Sequence, residues 1–569
     1  MGLIAMALVD GTAVIRGADT AANDATFAQS AIETQRALIG KVGAADGSGA
    51  VLGGHVYNAD VYAFRNNAAG TQCLMWKATS TGWVQQALGN RVSFTSGTDE
   101  MVDSGTLTQS GITAPIRRVV KQSGDWSSND AAGYIIVGDV SGAPFAAGAA
   151  TDGASGACTL SGAETAQTIQ PSGRFEFRNY NFFGSTKTKR MYGVSGVDYA
   201  FEFDGTSFVP IITGNTVDTP THIEIYKEHL FLAFANGSLQ NGSTGTPYVW
   251  SGGGANEYGF GEDIVGIIRE IGKSLLILGR NKTEVLHGSN TSDDPWDVAD
   301  ISAESGGIEW TLQRLYKSRY LDDNGITNAE SVQAFGDFKV NTTSQLINPL
   351  IDVKKESVIS SILVRKKNQY RLFFDDGTSI VATYNGRKLA GWSTMAYRDS
   401  VGSGIPVRVT ANGEDSSGTE ILFFGSDDGY LYQMDKGTSF DGAPVSAAVI
   451  LAYFNAGSPA YSKHWHKVDL EMEGANGAVI SYNAVFDYAT GSSPPDLTGT
   501  VTLASGGGYW NTALWNQFTW ASDDVTLVDG DITGDGRNVS LQISSVATYI
   551  EPHTILGATF HYSMRRLVR

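Results

Sequence analysis

Phe423-Phe-Gly-Ser-Asp-Asp-Gly-Tyr-Leu-Tyr-Gln-Met-Asp-Lys-Gly-Thr-Ser-Phe-Asp-Gly442 is the stretch whose reading decides the fold. Ile421 to Phe424 read as a buried strand and Ser426-Asp-Asp-Gly429 as a tight turn. Tyr430 and Tyr432 point one way in the next strand, and Leu431 and Gln433 the other. Asp-Gly pairs favour the positive φ of short hairpin turns, so this is one hairpin. Asp435 and Gly437 then break the chain.

Working towards the N-terminus, the same unit of strand, Asp/Gly turn and aromatic strand recurs. His222 to Phe234 pairs two strands around a Lys-Glu turn, and Ile264 to Leu278 does the same. Tyr370 to Phe374 and Ser379 to Tyr384 flank Asp375-Asp-Gly377. Aligned on central strands beginning at Leu230, Leu275, Tyr370 and Ile421, the steps are 45, 95 and 51 residues. The long step has room for two units, and the weaker pattern Ser331 to Val340 is the candidate for the missing one. A period near 40 to 50 residues with three or four strands per unit is the signature of a β-propeller. Stacking small sheets around an axis buries both faces of each and leaves no long open edge. An array of β-sandwiches is the competing architecture.

The expected organisation is all-β. Residues 1–45 form an N-terminal arm with a helix, 46–442 a propeller of six to eight blades with a Gly/Ser-rich insertion around 90–170, and 443–569 a β-sandwich-like distal domain. Asp24 to Ile39 supplies the helix, with Phe27, Ala31 and Leu38 on one face and Gly40 as its stop, either docking on a neighbouring subunit or packing on its own domain. In the insertion only Tyr134 to Val137 is a clear strand. About seven strands follow Gly442, including Tyr509 to Trp520, a spacing that suits a sandwich.

Composition agrees with this. Gly is 68 of 569 residues, about 12% against a usual level of roughly 7%, and suits many tight turns. Apolar residues at 42% support a packed core, which excludes a disordered chain. A formal net charge of −19 excludes a broad phosphate-gripping face, but not a wall past which DNA slides. Cys73 and Cys158 give neither a disulfide framework nor metal-ligand spacing, and a reducing compartment of synthesis is expected. The apolar start, Met1 to Val9, lacks the basic segment of a signal peptide, and no run reaches the ~18 apolar residues of a membrane span.

Candidate chemistry is sparse. Asp375-Asp376 and Asp427-Asp428 are adjacent carboxylates before a Gly, where turn chemistry competes with acid/base work. His464 and His466 flank Trp465 and lack an identifiable third metal ligand. Asp529 to Gly536 is similar to a calcium loop, but Ser540 occupies the twelfth position where an acidic ligand belongs. No nucleophile elbow, phosphate-cradling loop or zinc-protease motif occurs, and the Asp boxes of sialidase propellers are absent. No catalytic, cofactor or metal residue is therefore assigned, no cofactor is expected, and the chain is expected not to be an enzyme.

Arg190-Met-Tyr-Gly-Val-Ser-Gly-Val-Asp-Tyr-Ala-Phe-Glu-Phe-Asp-Gly-Thr-Ser-Phe208 resembles a blade of the tail nozzle (tail tube or DNA stabilisation) proteins of short-tailed bacteriophages. Gly429 to Gly437, Asp441 to Val445 and Lys463-His-Trp-His-Lys-Val-Asp-Leu-Glu471 are similar to that family's passage from propeller to distal domain. Trp510, Trp515, Trp520, His553 and Tyr562 to Arg566 extend the resemblance. It implies a structural virion protein located in the tail and synthesised in the host cytoplasm. It implies a hexameric ring below the portal and adaptor, with contacts to fibres or spikes and to a plug or needle. Genomic DNA would pass through without sequence-specific binding. An acidic lumen would repel phosphate. The alternative is a carbohydrate-binding receptor-recognition tail protein, motivated by Trp465, Trp510, Trp515 and Trp520 as candidate glycan platforms.

Overall fold

The computed structural model describes residues 40–41, 47–79, 82–184, 189–252, 254–270, 274–330, 339–398, 402–436, 439–440, 443–474, 479–488, 497–502, 526–547 and 553–567. The expected N-terminal helix at Asp24 to Ile39, the pattern from Ser331 to Phe338 and the strand at Tyr509 to Trp520 lie outside them. The chain divides into two compact units. One holds the described residues of Gln29–Met395 and Pro406–Tyr432, the other those of Ala396–Ile405 and Gln433–Arg569.

The first unit is a β-propeller of seven four-stranded antiparallel sheets. Their first strands are Gly47–Tyr57, Glu176–Tyr180, His222–Tyr226, Ile264–Arg269, Gln313–Leu315, Val358–Val364 and Val409–Glu414. The strands aligned from the sequence on Leu230, Leu275, Tyr370 and Ile421 are each the second of their blade. The ring is closed by Gly40–Lys41, which pairs with Tyr430–Leu431 as the outer strand of the seventh blade. Val51, Val56 and Ala63 of the first blade pack on Val409, Phe423 and Leu431 of the seventh, so an apolar seam backs that closure.

Two expectations are corrected here. The fifth blade is centred on Lys317–Asp322, not on the pattern Ser331 to Val340, whose described residues Lys339 and Val340 open its outer strand, Lys339–Thr342. The insertion holds more than the one strand legible at Tyr134 to Val137. Six strands between Asn90 and Leu160 close on themselves, because Asn90–Asp99 pairs with both Ala131–Val137 and Ala157–Leu160. Val92, Phe94, Leu107, Ile116 and Ile135 fill the barrel. Barrel closure leaves no free edge among these small-residue strands.

The opening hairpin turns at Gly429, the one residue of its turn with positive φ, at 80°. Asp427 and Asp428 keep negative φ, so the turn places a single left-handed residue before the second strand rather than two.

The second unit stacks two sheets. Ser439–Phe440, Ala443–Ile450, Val539–Ala547, Val479–Phe486 and Leu497–Thr502 make one; Thr526–Gly536, Tyr461–Gly474 and His553–Leu567 make the other. Trp465, Leu470 and Ile532 meet Tyr482, Phe486 and Leu541 in the core between them, which makes it a β-sandwich. Asp529 to Gly536, compared above with a calcium loop, is extended strand paired with Lys463–Asp469. A ladder cannot wrap its own carboxylates around an ion as a loop does.

Candidate functional site

Period-2 alternation builds the polar centre of the propeller. In Arg174-Phe-Glu-Phe-Arg178, Phe175 and Phe177 enter the apolar seam with the first blade, so Arg174, Glu176 and Arg178 face the axis. In the third blade Ile223 and Ile225 are core, and His222 and Glu224 face the axis. The seven first strands line a cavity of about 450 Å³ there.

Its charges are paired across blades. Arg178 Nε donates to Glu224 Oε2 at 3.0 Å, and its Nη2 lies 2.8 Å from Glu176 Oε1. His222 Nδ1 is 2.9 Å from Glu176 Oε2, and its Nε2 is 3.6 Å from Glu309 Oε1 before the fifth blade. Arg174 lies 3.9 Å over the Trp310 ring and donates to the Ile359 carbonyl of the sixth blade at 2.6 Å. Neutral groups extend the lacing. Gln313 reaches Ser361, Thr410 donates to the Ser361 carbonyl, and Asn179 bonds both His55 and the Val56 carbonyl.

Burial alone would lower His222, but Glu176 and Glu309 overcome it and raise its pKa to about 9. His222 is therefore an imidazolium at neutral pH and a poor base. Burial lowers His55 to about 4 against its hydrogen bond to Asn179, with Arg178 and Lys189 adding to the lowering. Burial also lowers Arg174, to about 9, against Glu309 and Glu176. These groups hold blades together.

The two histidines act in different pH windows. The His222 contribution is complete below its unfolded pKa of 6.5 and is lost as pH rises towards about 9. His55 folds neutral, so its penalty grows as pH falls from 6.5 towards about 4. Thermal unfolding across this range is expected to show the propeller most stable near 6.5, the ordinary imidazole value that both histidines share. In the His222→Gln variant the alkaline decline should flatten while the acid limb remains. An unchanged alkaline limb would remove His222 as its cause.

The residues singled out in the sequence do not converge. Asp427 accepts from Arg408 Nε and Nη2, at 2.7 and 3.0 Å, while Asp428 accepts from the Tyr430 amide and the Tyr432 hydroxyl. Asp376 is lowered to about 2; burial opposes that shift, and hydrogen bonds from Lys354 and Thr378 overcome it. His464 and His466 share the outer face of the second unit's three-stranded sheet, rings 4.8 Å apart. His464 bonds Asp535 at 2.6 Å, and His466 Nε2 lies 3.2 Å from Ser563 Oγ. The carboxylate sits on the wrong histidine to orient a base for Ser563. Among the described residues no group of His, Cys, Asp and Glu is arranged to hold a metal ion. Trp465, a candidate glycan platform, is fully buried. The axial residues were missed as a site, although their alternation was visible in Arg174-Phe-Glu-Phe-Arg178.

No family model matches the chain, and no curated protein matches it. Solved structures match it at low similarity. The BBS1N–ARL6DN complex is 11% identical with a TM-score of 0.31, over 49% of this chain and 84% of that one. The computationally designed Ika8 protein is 9% identical with a TM-score of 0.32, over 69% and 98%. A chain of the mitotic checkpoint complex is 12% identical with a TM-score of 0.31, over 59% and 91%. Likeness at this level carries no functional argument, and the propeller is read from its own seven sheets.

Proposed function

We propose that this chain is a structural virion protein, a tail nozzle whose six copies ring the DNA-exit channel below the portal and adaptor of a short-tailed phage. The observation that carries the reading is the passage from Gly429 to Glu471, which resembles the family's route from propeller to distal domain. In this chain it runs from the third strand of the seventh blade, Tyr430–Gln433, to the central strand of the three-stranded sheet, Tyr461–Gly474. The second resembling stretch, Arg190 to Phe208, spans the second, third and opening fourth strands of the second blade.

DNA in this reading passes along the ring's common axis, not through any one propeller. Each propeller's own centre is crossed by Arg174 and by the His222–Glu309 contact. A net charge of −19 per copy supports a lumen that repels phosphate instead of holding it. Six identical copies need a heterologous interface whose rotation closes. Fibres or spikes, and a plug or needle, are the further partners of this reading. No catalysis is assigned. The carbohydrate-binding alternative loses Trp465 to the core, and Trp510, Trp515 and Trp520 lie outside the described residues.

Negative-stain images of the purified protein, with tomograms of virions, test the proposal. Six-membered rings are expected in at least one setting. A persistent monomer in both would end it.

A further inference from the structure

We infer that the seam between the fifth and sixth blades holds a binding site for a small oxyanion, a phosphate or carboxylate group, built around Arg319. Arg319 lies in the second strand of the fifth blade, opposite Asn328 of the third strand. It is 4% exposed. Its guanidinium stacks 4.0 Å over the ring of Tyr384, from the third strand of the sixth blade. Among the described residues no acceptor meets Arg319 Nε or Nη1, nor any donor Asn328 Oδ1, in full hydrogen-bond geometry; the Tyr384 hydroxyl, beside Thr343, is the neutral group that interacts with the guanidinium.

A buried charge without a counter-charge is costly, and proteins pair such groups or bring them against an ion. The axial cavity shows the usual solution in this same chain, with Arg178 held between two carboxylates. Among the described residues the Arg319 seam has no such carboxylate. It borders a cavity of about 250 Å³ whose lining adds two further cations, Lys317 and Arg387, and includes no Asp or Glu. Water occupies about 30 Å³ per molecule in the liquid, so this volume takes a phosphate-sized group with several waters. The forked N–H groups of a guanidinium match two oxygens of one carboxylate or phosphate. The Tyr384 hydroxyl is a further donor, and a flip of the Asn328 amide presents its NH₂ to the same space. The charged groups and donors of the pocket together select negative charge with oxygen acceptors.

The test is thermal unfolding and titration calorimetry of the full chain with inorganic phosphate and with acetate, using potassium chloride at matched ionic strength as the control. At least one oxyanion is expected to bind saturably and to raise the unfolding temperature beyond the chloride response. Phosphate alone, or acetate alone, assigns the source of the oxygens. In the Arg319→Met variant, binding should weaken by roughly tenfold or more, the effect of losing one charge-assisted hydrogen bond. Saturable binding of neither oxyanion overturns the inference, as does binding unchanged in Arg319→Met. If that variant does not fold, crystals of the unmodified protein soaked in selenate or bromoacetate give the answer. An anomalous peak beside the Arg319 guanidinium supports the site, and its absence there overturns it.

Discussion

Glu202→Ala is expected to destabilise the propeller unit by about 3–5 kcal/mol, the cost of removing one partner from a buried ion network. Glu202 is 0% exposed. Its Oε1 accepts from Arg118 at 2.8 Å and Arg190 at 2.5 Å, and its Oε2 from the Tyr192 hydroxyl at 2.9 Å. Arg118 comes from the inserted barrel and also pairs with Asp204 and Asp103. Burial alone would lower the Arg118 pKa, but Glu202 foremost, with Tyr248, Asp103 and Asp204, raises it above the ordinary range. Truncation leaves two guanidiniums and a phenol facing a space that water does not easily solvate. The apolar contact of Val120, Tyr134 and Ile136 of the barrel with Tyr192, Val194 and Val209 of the second blade should weaken with them. Urea unfolding followed by hydrogen exchange of the barrel amides measures this. A loss below about 1 kcal/mol would mean that the network is solvated like a surface pair.

What the sequence revealed of this molecule, and what it hid, follows from where polar residues sit. Blades three, four, six and seven were legible because their second strands are apolar runs between turn residues, as in His229–Phe234 and Leu275–Gly279. The fifth was misplaced because its second strand, Lys317-Ser-Arg-Tyr-Leu-Asp322, buries Ser318, Arg319 and Asp322. No hydrophobicity pattern finds such a strand. The local rule fails at the seam where the oxyanion site is inferred, and such failures are expected to gather at functional places. The barrel was missed for another reason. Ala, Gly, Ser and Thr give little contrast between faces, and closure of Asn90–Asp99 on Ala157–Leu160 joins residues some sixty positions apart in the sequence. The axial network was half legible. Alternation put Arg174, Glu176 and Arg178 on one side of a strand, but its partners His222, Glu309 and Ile359 come from the third blade, the link into the fifth and the sixth blade.

Trp465→Ala should cost the C-terminal unit about 3–5 kcal/mol, as truncation of a buried aromatic does. Trp465 is the largest fully buried side chain of the described residues. Its ring lies 5.3 Å from Tyr562, 6.0 Å from Phe560 and 6.3 Å from Phe454, and its indole N–H donates to the Gly536 carbonyl at 3.3 Å. Trp465→Phe keeps much of the packing and loses the hydrogen bond, so the smaller loss it produces separates the two terms. The core around Trp465 is drawn from residues of the C-terminal unit, and Glu202 belongs to the propeller unit. In calorimetric unfolding the two variants should therefore depress different transitions, Trp465→Ala the sandwich and Glu202→Ala the propeller. If both variants shift one common transition, the units unfold as a single cooperative body. If Trp465→Ala leaves unfolding untouched but abolishes binding on a glycan array, the side chain is a platform after all, and its place in the core is wrong.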